Sequence, residues 1–202
     1  MDNDAGKATL KPLDIKCTSS DCEKGLHCFR ATRKMKMANE QGRCRACGME
    51  LVDWPRVHSQ SLKDLDYTFD ALRLEMIRHY FWHLEIDVKA VNHARRKGRV
   101  RMRAAAEKRL RTKVAPAEPA FDGRQTPRAG NAIFYAQHAT ASCCRTCVES
   151  WHGIPKGRAL TEEEISYLTE LVVRYLDERL PELTENGEKV PPLRGMRASA
   201  AS

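Results

Sequence analysis

The sequence predicts a mostly helical α+β protein built from small zinc-stapled modules. These are an N-terminal zinc ribbon or knuckle, a helical middle and a C-terminal strand–zinc–helix unit. Three observations predict it. The eight cysteines gather at 17–47 and 143–147. Between these clusters, apolar residues recur at helical spacing. Aromatic residues make up only 6% of the chain and charged residues 31%, too little apolar bulk for one large core. Small modules of that kind need an added staple, and metal is the usual one.

Residues 1–14 read as a disordered polar lead and 15–57 as the zinc-ribbon-like module. In that module Cys44-x-x-Cys47-Gly48 has knuckle spacing: two thiolates two residues apart converge on one tetrahedral ion if the backbone between them turns tightly. Gly42 and Gly48 supply the freedom for that turn. The partner pair comes from Cys17, Cys22 and Cys28, with His27 also open, and Cys17 and Cys22 are favoured, with Cys28 as substitute. The segment has few large apolar residues, so metal is its visible means of stability.

Residues 58–113 read as helical. Asp64 or Asp66 caps a helix whose apolar face carries Phe69, Leu72, Met76, Tyr80, Leu84, Val88 and Val91, with a break expected near Ile86-Asp87. His79 and His83 share a stripe with Glu75 and Asp87, read as charge pairing and packing ahead of metal ligation. After Gly98 the alanine- and arginine-rich "RVRMRAAAEKRLRTK" is helix-prone. Residues 114–180 hold a proline-rich loop, a short strand at "AIFYAQ", the second cysteine cluster and a final helix. Thr161 and Glu164 form a capping box ahead of Ile165, Leu168, Leu171, Val172 and Leu176. Pro181 ends that helix, and 181–202 reads as a flexible tail.

"HATASCCRTCVESWHGIPKGR" admits several chemistries. A Cys143–Cys144 disulfide needs a strained ring. A Cys144–Cys147 redox pair sits oddly with a histidine on each flank, and a Cys/His nucleophile needs fewer thiols. Zinc uses the flanks: His138, Cys144, Cys147 and His152 make a tetrahedral set, with Cys143 as substitute. Lys156-Gly157-Arg158 reads as a basic turn into the helix cap, ahead of a phosphate loop.

The stretch from "APAEPAFDGRQTP" through "FYAQHATASCCRTCVESWHGIPKGRALTEEE" resembles an uncharacterised family of bacterial, archaeal and phage proteins, domain of unknown function 4186, over about residues 108–180. Arg124 stands where lysine is expected in that family, and the cysteines at 17–47 lie outside its pattern. The resemblance implies a shared fold and site, and no established activity.

Net charge is +8, and residues 94–130 alone carry 12 basic against 3 acidic side chains. Arg95, Arg96, Lys97, Arg99, Arg101 and Arg103 form a block suited to phosphates, so DNA or RNA is the expected partner, in a bacterium or phage. The first twenty residues carry no apolar run of the kind an export signal needs, and no stretch is long enough to span a membrane. The chain therefore reads as cytoplasmic, where clustered cysteines bind metal more often than they form bridges. The expected function is a zinc protein with two ions that associates with nucleic acid and performs no established reaction. The alternatives are a metal-dependent hydrolytic enzyme at His138, Cys144 and Cys147, and a protein-interaction adaptor.

Overall fold

The computed structural model describes residues 15–191. The polar lead at 1–14 and the tail at 192–202 lie outside the described residues. Among the described residues, eight α-helices follow in order: α1 (Arg33–Met37), α2 (Trp54–His58), α3 (Leu65–Arg73), α4 (Met76–His83), α5 (Val88–Lys113), α6 (Ala132–Ala139), α7 (Arg145–His152) and α8 (Glu162–Arg179). Among the described residues, β pairing is confined to two isolated bridges, Asp21–Leu26 and His27–Glu75. Among the described residues, no helix is long and apolar enough to cross a membrane.

The helix expected over 69–91 breaks twice. The break before Asp87 is the anticipated one, and Asp87 caps α5 by accepting from the Ala90 N–H. The break at Leu74-Glu75 has a tertiary cause. The His27 N–H donates to the Leu74 carbonyl at 2.7 Å, and the Met76 N–H donates to the His27 carbonyl at 2.9 Å. An N-terminal segment thus claims backbone groups that an unbroken helix would use.

"AIFYAQ" is helical, which corrects the expected strand. Asn131 caps α6 by accepting from the Ile133 N–H at 3.0 Å. Six of its eight residues are buried, because α4, α5 and α8 surround it. A short run that is apolar on every side has no period to read. The capping box on α8 forms as expected, with Thr161 Oγ1 accepting from the Glu164 N–H and Glu164 from the Thr161 N–H.

The main core lies between α4, α5, α6 and α8, around Phe81, Met102, Leu110, Tyr135, Leu168 and Tyr175. A second core joins segments expected to form separate modules. Phe29, Cys44 and Val57 pack there with Leu72, Cys143, Cys144, Cys147 and Trp151. Trp151 meets Phe29 edge-on at 5.7 Å and Trp54 at 5.2 Å between ring centroids.

The segment after α8 docks as a strap through residues 184–188, unlike the flexible tail expected over 181–202, of which 192–202 lie outside the described residues. Helix α5 kinks at Gly98 (φ 71°, ψ 172°). The Arg99 and Val100 N–H groups donate to the Thr184 and Glu185 carbonyls, and the Glu188 N–H donates to the Arg95 carbonyl. The kink's backbone groups are therefore satisfied from outside the helix. A Cβ on Gly98 would collide with the Gly187 and Asn186 backbone. Gly98→Ala is expected to lower stability by about 2 kcal/mol or more, since it joins a positive φ to that collision. Urea denaturation of the full chain checks this, and an unchanged midpoint would contradict the docked strap.

Candidate metal centres

The first centre is built by two turns. Cys22 and His27 flank a tight loop in which Gly25 adopts the left-handed conformation (φ 72°) and Asp21 pairs with Leu26. Cys44 and Cys47 flank a knuckle closed by the Gly48 N–H donating to the Cys44 carbonyl at 2.8 Å, with Gly48 at φ 78°. The ligand atoms of Cys22, His27, Cys44 and Cys47 all lie within 4.8 Å of one another. Cys22 Sγ is 3.7 Å from Cys44 Sγ, and Cys47 Sγ is 3.5 Å from His27 Nδ1. Burial raises the Cys44 thiol pKa, but hydrogen bonds from the Cys28, Cys47 and Ala46 backbone and from His27 outweigh it, bringing it down to about 6.

Cys17, favoured in the sequence for this set, lies outside it, and His27 takes the place. The signal was present in "DCEKGLH": a glycine turn that returns position 27 beside position 22. Cys28 is also excluded. It is fully buried next to the cluster, and its thiol donates to the Cys17 carbonyl at 3.5 Å.

The second cluster is Cys143, Cys144 and Cys147, all buried and within 4.8 Å of one another. Cys144 is the N-cap position of α7 and Cys147 lies in its first turn. Residues of the motifs that carry the family resemblance shape this turn. Thr126 Oγ1 donates to the Cys143 carbonyl at 2.8 Å, Gln137 Nε2 to the Ser142 carbonyl at 3.1 Å, and the Arg145 N–H to Asp122 at 3.1 Å.

The expected His138–Cys144–Cys147–His152 set does not assemble. His138 Nε2 lies 3.2 Å from the Thr126 and Pro127 carbonyls, and its ring stacks on Phe81 at 4.4 Å. His152 lies 3.0 Å from the Thr140 carbonyl through Nε2 and 3.2 Å from the Tyr167 hydroxyl through Nδ1. Burial lowers both histidines to a pKa of about 4, so both are neutral at neutral pH, with His152 fully buried and His138 half-buried. Cys143, read as a substitute, is a full member of the cluster.

A buried ion pair sits between the two centres. Glu75 and Arg78 side chains are each 3% exposed and meet at 2.9 Å. Glu75 also accepts from Trp151 Nε1 at 2.6 Å and from the Phe29 N–H at 3.3 Å. Arg78 donates to the His138 carbonyl at 2.7 Å and to Cys147 Sγ at 3.2 Å. Cys147 is held well below the ordinary thiol pKa by hydrogen bonds from Cys143 and Cys144, then from Cys17, and by the Arg78 charge. Burial opposes the charge on Arg78, and Cys147 and Glu75 outweigh it. The His79 and His83 rings lie 4.1 Å apart, tilted by 34°, and form no ligand cluster with Glu75.

The carboxylates near the second cluster are engaged. Asp122 accepts from Lys156 Nζ at 2.6 Å and from the α7 N-terminus, and Glu149 accepts from the Lys156 N–H. Arg158 pairs with Glu164, so Lys156 to Arg158 form the turn into the α8 cap.

Four of the block's six basic side chains have partners at the protein surface. Arg95 pairs with Glu188, Arg99 with Asp177, and Arg103 with Glu170, while Arg101 donates to the Asn186 carbonyl. Arg96 and Lys97 make no ion pair among the described residues.

The profile of the family described as "Domain of unknown function (DUF4186)" matches residues 66–177, which include Glu75, Arg78 and the second cluster and exclude the first. No solved structure matches the chain.

Glu75→Ala strands the Arg78 guanidinium in a buried site together with the Trp151 and Phe29 donors. The expected cost is about 3–5 kcal/mol, with Glu75→Gln milder because it keeps an acceptor. Urea midpoints of the two variants check the order, and an Ala variant as stable as the parent would remove Glu75 from its linking role.

Proposed function

The chain belongs to the family described as a domain of unknown function, DUF4186, and from that premise we propose that it is a zinc-binding protein with two structural metal centres. The observation that carries this is the spacing in the first cluster. Tetrahedral zinc with Zn–S of about 2.3 Å and Zn–N of about 2.0–2.1 Å sets ligand atoms about 3.8 Å apart for S···S and about 3.6 Å for S···N. The pairs Cys22–Cys44 and Cys47–His27 stand at 3.7 and 3.5 Å. Soft thiolates with one imidazole select zinc over hard cations. The buried second cluster and the engagement of Asp122, Glu149 and Glu75 favour a stapling role over hydrolysis, which needs an open position and a base.

Purified protein is expected to carry about two zinc ions per chain by elemental analysis, and a strong chelator is expected to lower its thermal midpoint sharply. A metal-free protein whose midpoint ignores the chelator would contradict the reading.

A second reading, association with DNA or RNA, is favoured by the exposed Arg96 beside Lys97, each without a charge partner among the described residues and within the most basic part of the chain. The ion pairs of Arg95 and Arg103 are solvent-accessible, and such pairs are weak enough to exchange for phosphate. Salt-sensitive retention of labelled single- and double-stranded nucleic acid, lost on joint Arg96→Glu and Lys97→Glu substitution, is the expected result. Binding that is absent at low salt, or unchanged in the double variant, would contradict it.

A further inference from the structure

The second cluster offers three thiols, and a closed tetrahedral site needs four ligands. The neighbouring candidates exclude themselves. His138 and His152 are turned to backbone carbonyls. Glu75 is shared among Arg78, Trp151 and the Phe29 N–H, and Asp122 is held by Lys156 and the start of α7. The Cys28 thiol points to the Cys17 carbonyl.

Cys17 stands apart from these. It faces one member of the cluster, Cys147. The two cysteines line one small cavity with Arg78, Glu75 and Trp151. Cys28 anchors the Cys17 backbone at 3.5 Å, and the half-buried chain around it packs against the main core through Ile15 and Cys17. No bound partner in the first cluster competes for it, because Cys22, His27, Cys44 and Cys47 complete that set.

We propose that Cys17 is the fourth ligand of the second centre, giving a four-thiolate zinc site of Cys17, Cys143, Cys144 and Cys147. This rests on the reading that the second cluster holds zinc. Binding exchanges thiol protons for the ion, and the protons leave to solvent. The Cys17 sulfur lies outside the 4.8 Å spacing that unites the other three thiols, so ligation requires it to move toward them from the cavity it shares with Cys147. Four thiolates around a divalent ion leave two negative charges in a buried site. The Arg78 guanidinium, 3.2 Å from Cys147 Sγ and 4.0 Å from Cys143 Sγ, offsets part of that charge.

The consequence concerns chain architecture. Three ligands lie inside the family match at 66–177, and the fourth comes from outside it. The loop from Cys17 to His27 then serves both ions, with Cys17 on the second and Cys22 and His27 on the first. The second ion is thereby closed to water and fastens the N-terminal module to the family domain.

Cobalt titration of the full-length apoprotein tests this, because thiolate–cobalt charge-transfer absorption counts sulfur ligands. The parent chain is expected to take up two equivalents tightly. Cys17→Ser is expected to lose at least tenfold in affinity for one equivalent, with a weaker charge-transfer band. Cys17→His is expected to restore tight binding with one thiolate fewer in the spectrum, a signature that mere packing would not produce. Two tight equivalents and an unchanged spectrum in Cys17→Ser would overturn the proposal while leaving a metal at the second cluster. A parent chain that binds only at Cys22, His27, Cys44 and Cys47 would overturn both. If Cys17→Ser does not fold, the Cys17→His spectrum decides: an unchanged sulfur count there overturns the proposal.

Discussion

The buried pair of Glu75 and Arg78 is the constraint on which the arrangement depends. Removing two charges from water costs several kcal/mol per ion unless the remaining donors and acceptors are also met. Here they are met from every direction. Trp151 and the Phe29 N–H complete the carboxylate, while the His138 carbonyl and Cys147 complete the guanidinium. Beyond α4, the partners come from three parts of the chain: the N-terminal module, α6 and α7. The pair therefore fixes the N-terminal module, α4, α6 and α7 against one another, and its satisfaction requires all four to be in place.

The same position explains the break between α3 and α4. Glu75 is extended (φ −87°, ψ 125°) because His27 bridges its backbone, and that conformation turns its carboxylate inward toward Trp151. The first cluster thus reaches the second through a short path: His27 holds the Glu75 backbone, Glu75 holds Arg78, and Arg78 faces Cys147. Two centres built from segments far apart in sequence share one core, and metal at either one would stabilise the docking of both.

Much of the local structure was legible in the sequence. The capping box at Thr161 and Glu164, the break before Asp87, the Cys44–Cys47 knuckle and the two cysteine clusters follow from local patterns that short-range chemistry dictates. What was not legible depends on distant partners. "AIFYAQ" lost its period because three helices cover it. His138 and His152 looked like ligands because they flank the cysteines, but carbonyls at Thr126 and Thr140 claim them. Cys17 and His27 exchanged places relative to the expected first set, since spacing alone cannot say which thiol returns to which turn. The arginines of α5 read as a surface for polyanions, and the acidic side chains of α8 and the strap at 181–188 absorb most of them.

The central claim is that two cysteine-rich zinc centres hold this chain together, and zinc-edge X-ray absorption of the purified protein tests it most directly. The account predicts a tetrahedral shell dominated by sulfur near 2.3 Å, with the His27 imidazole as the one nitrogen ligand shared out over two ions. A shell with three imidazoles to five sulfurs over the two ions, as His138 and His152 ligation at the second site would give beside the first cluster, or one dominated by oxygen, would contradict it.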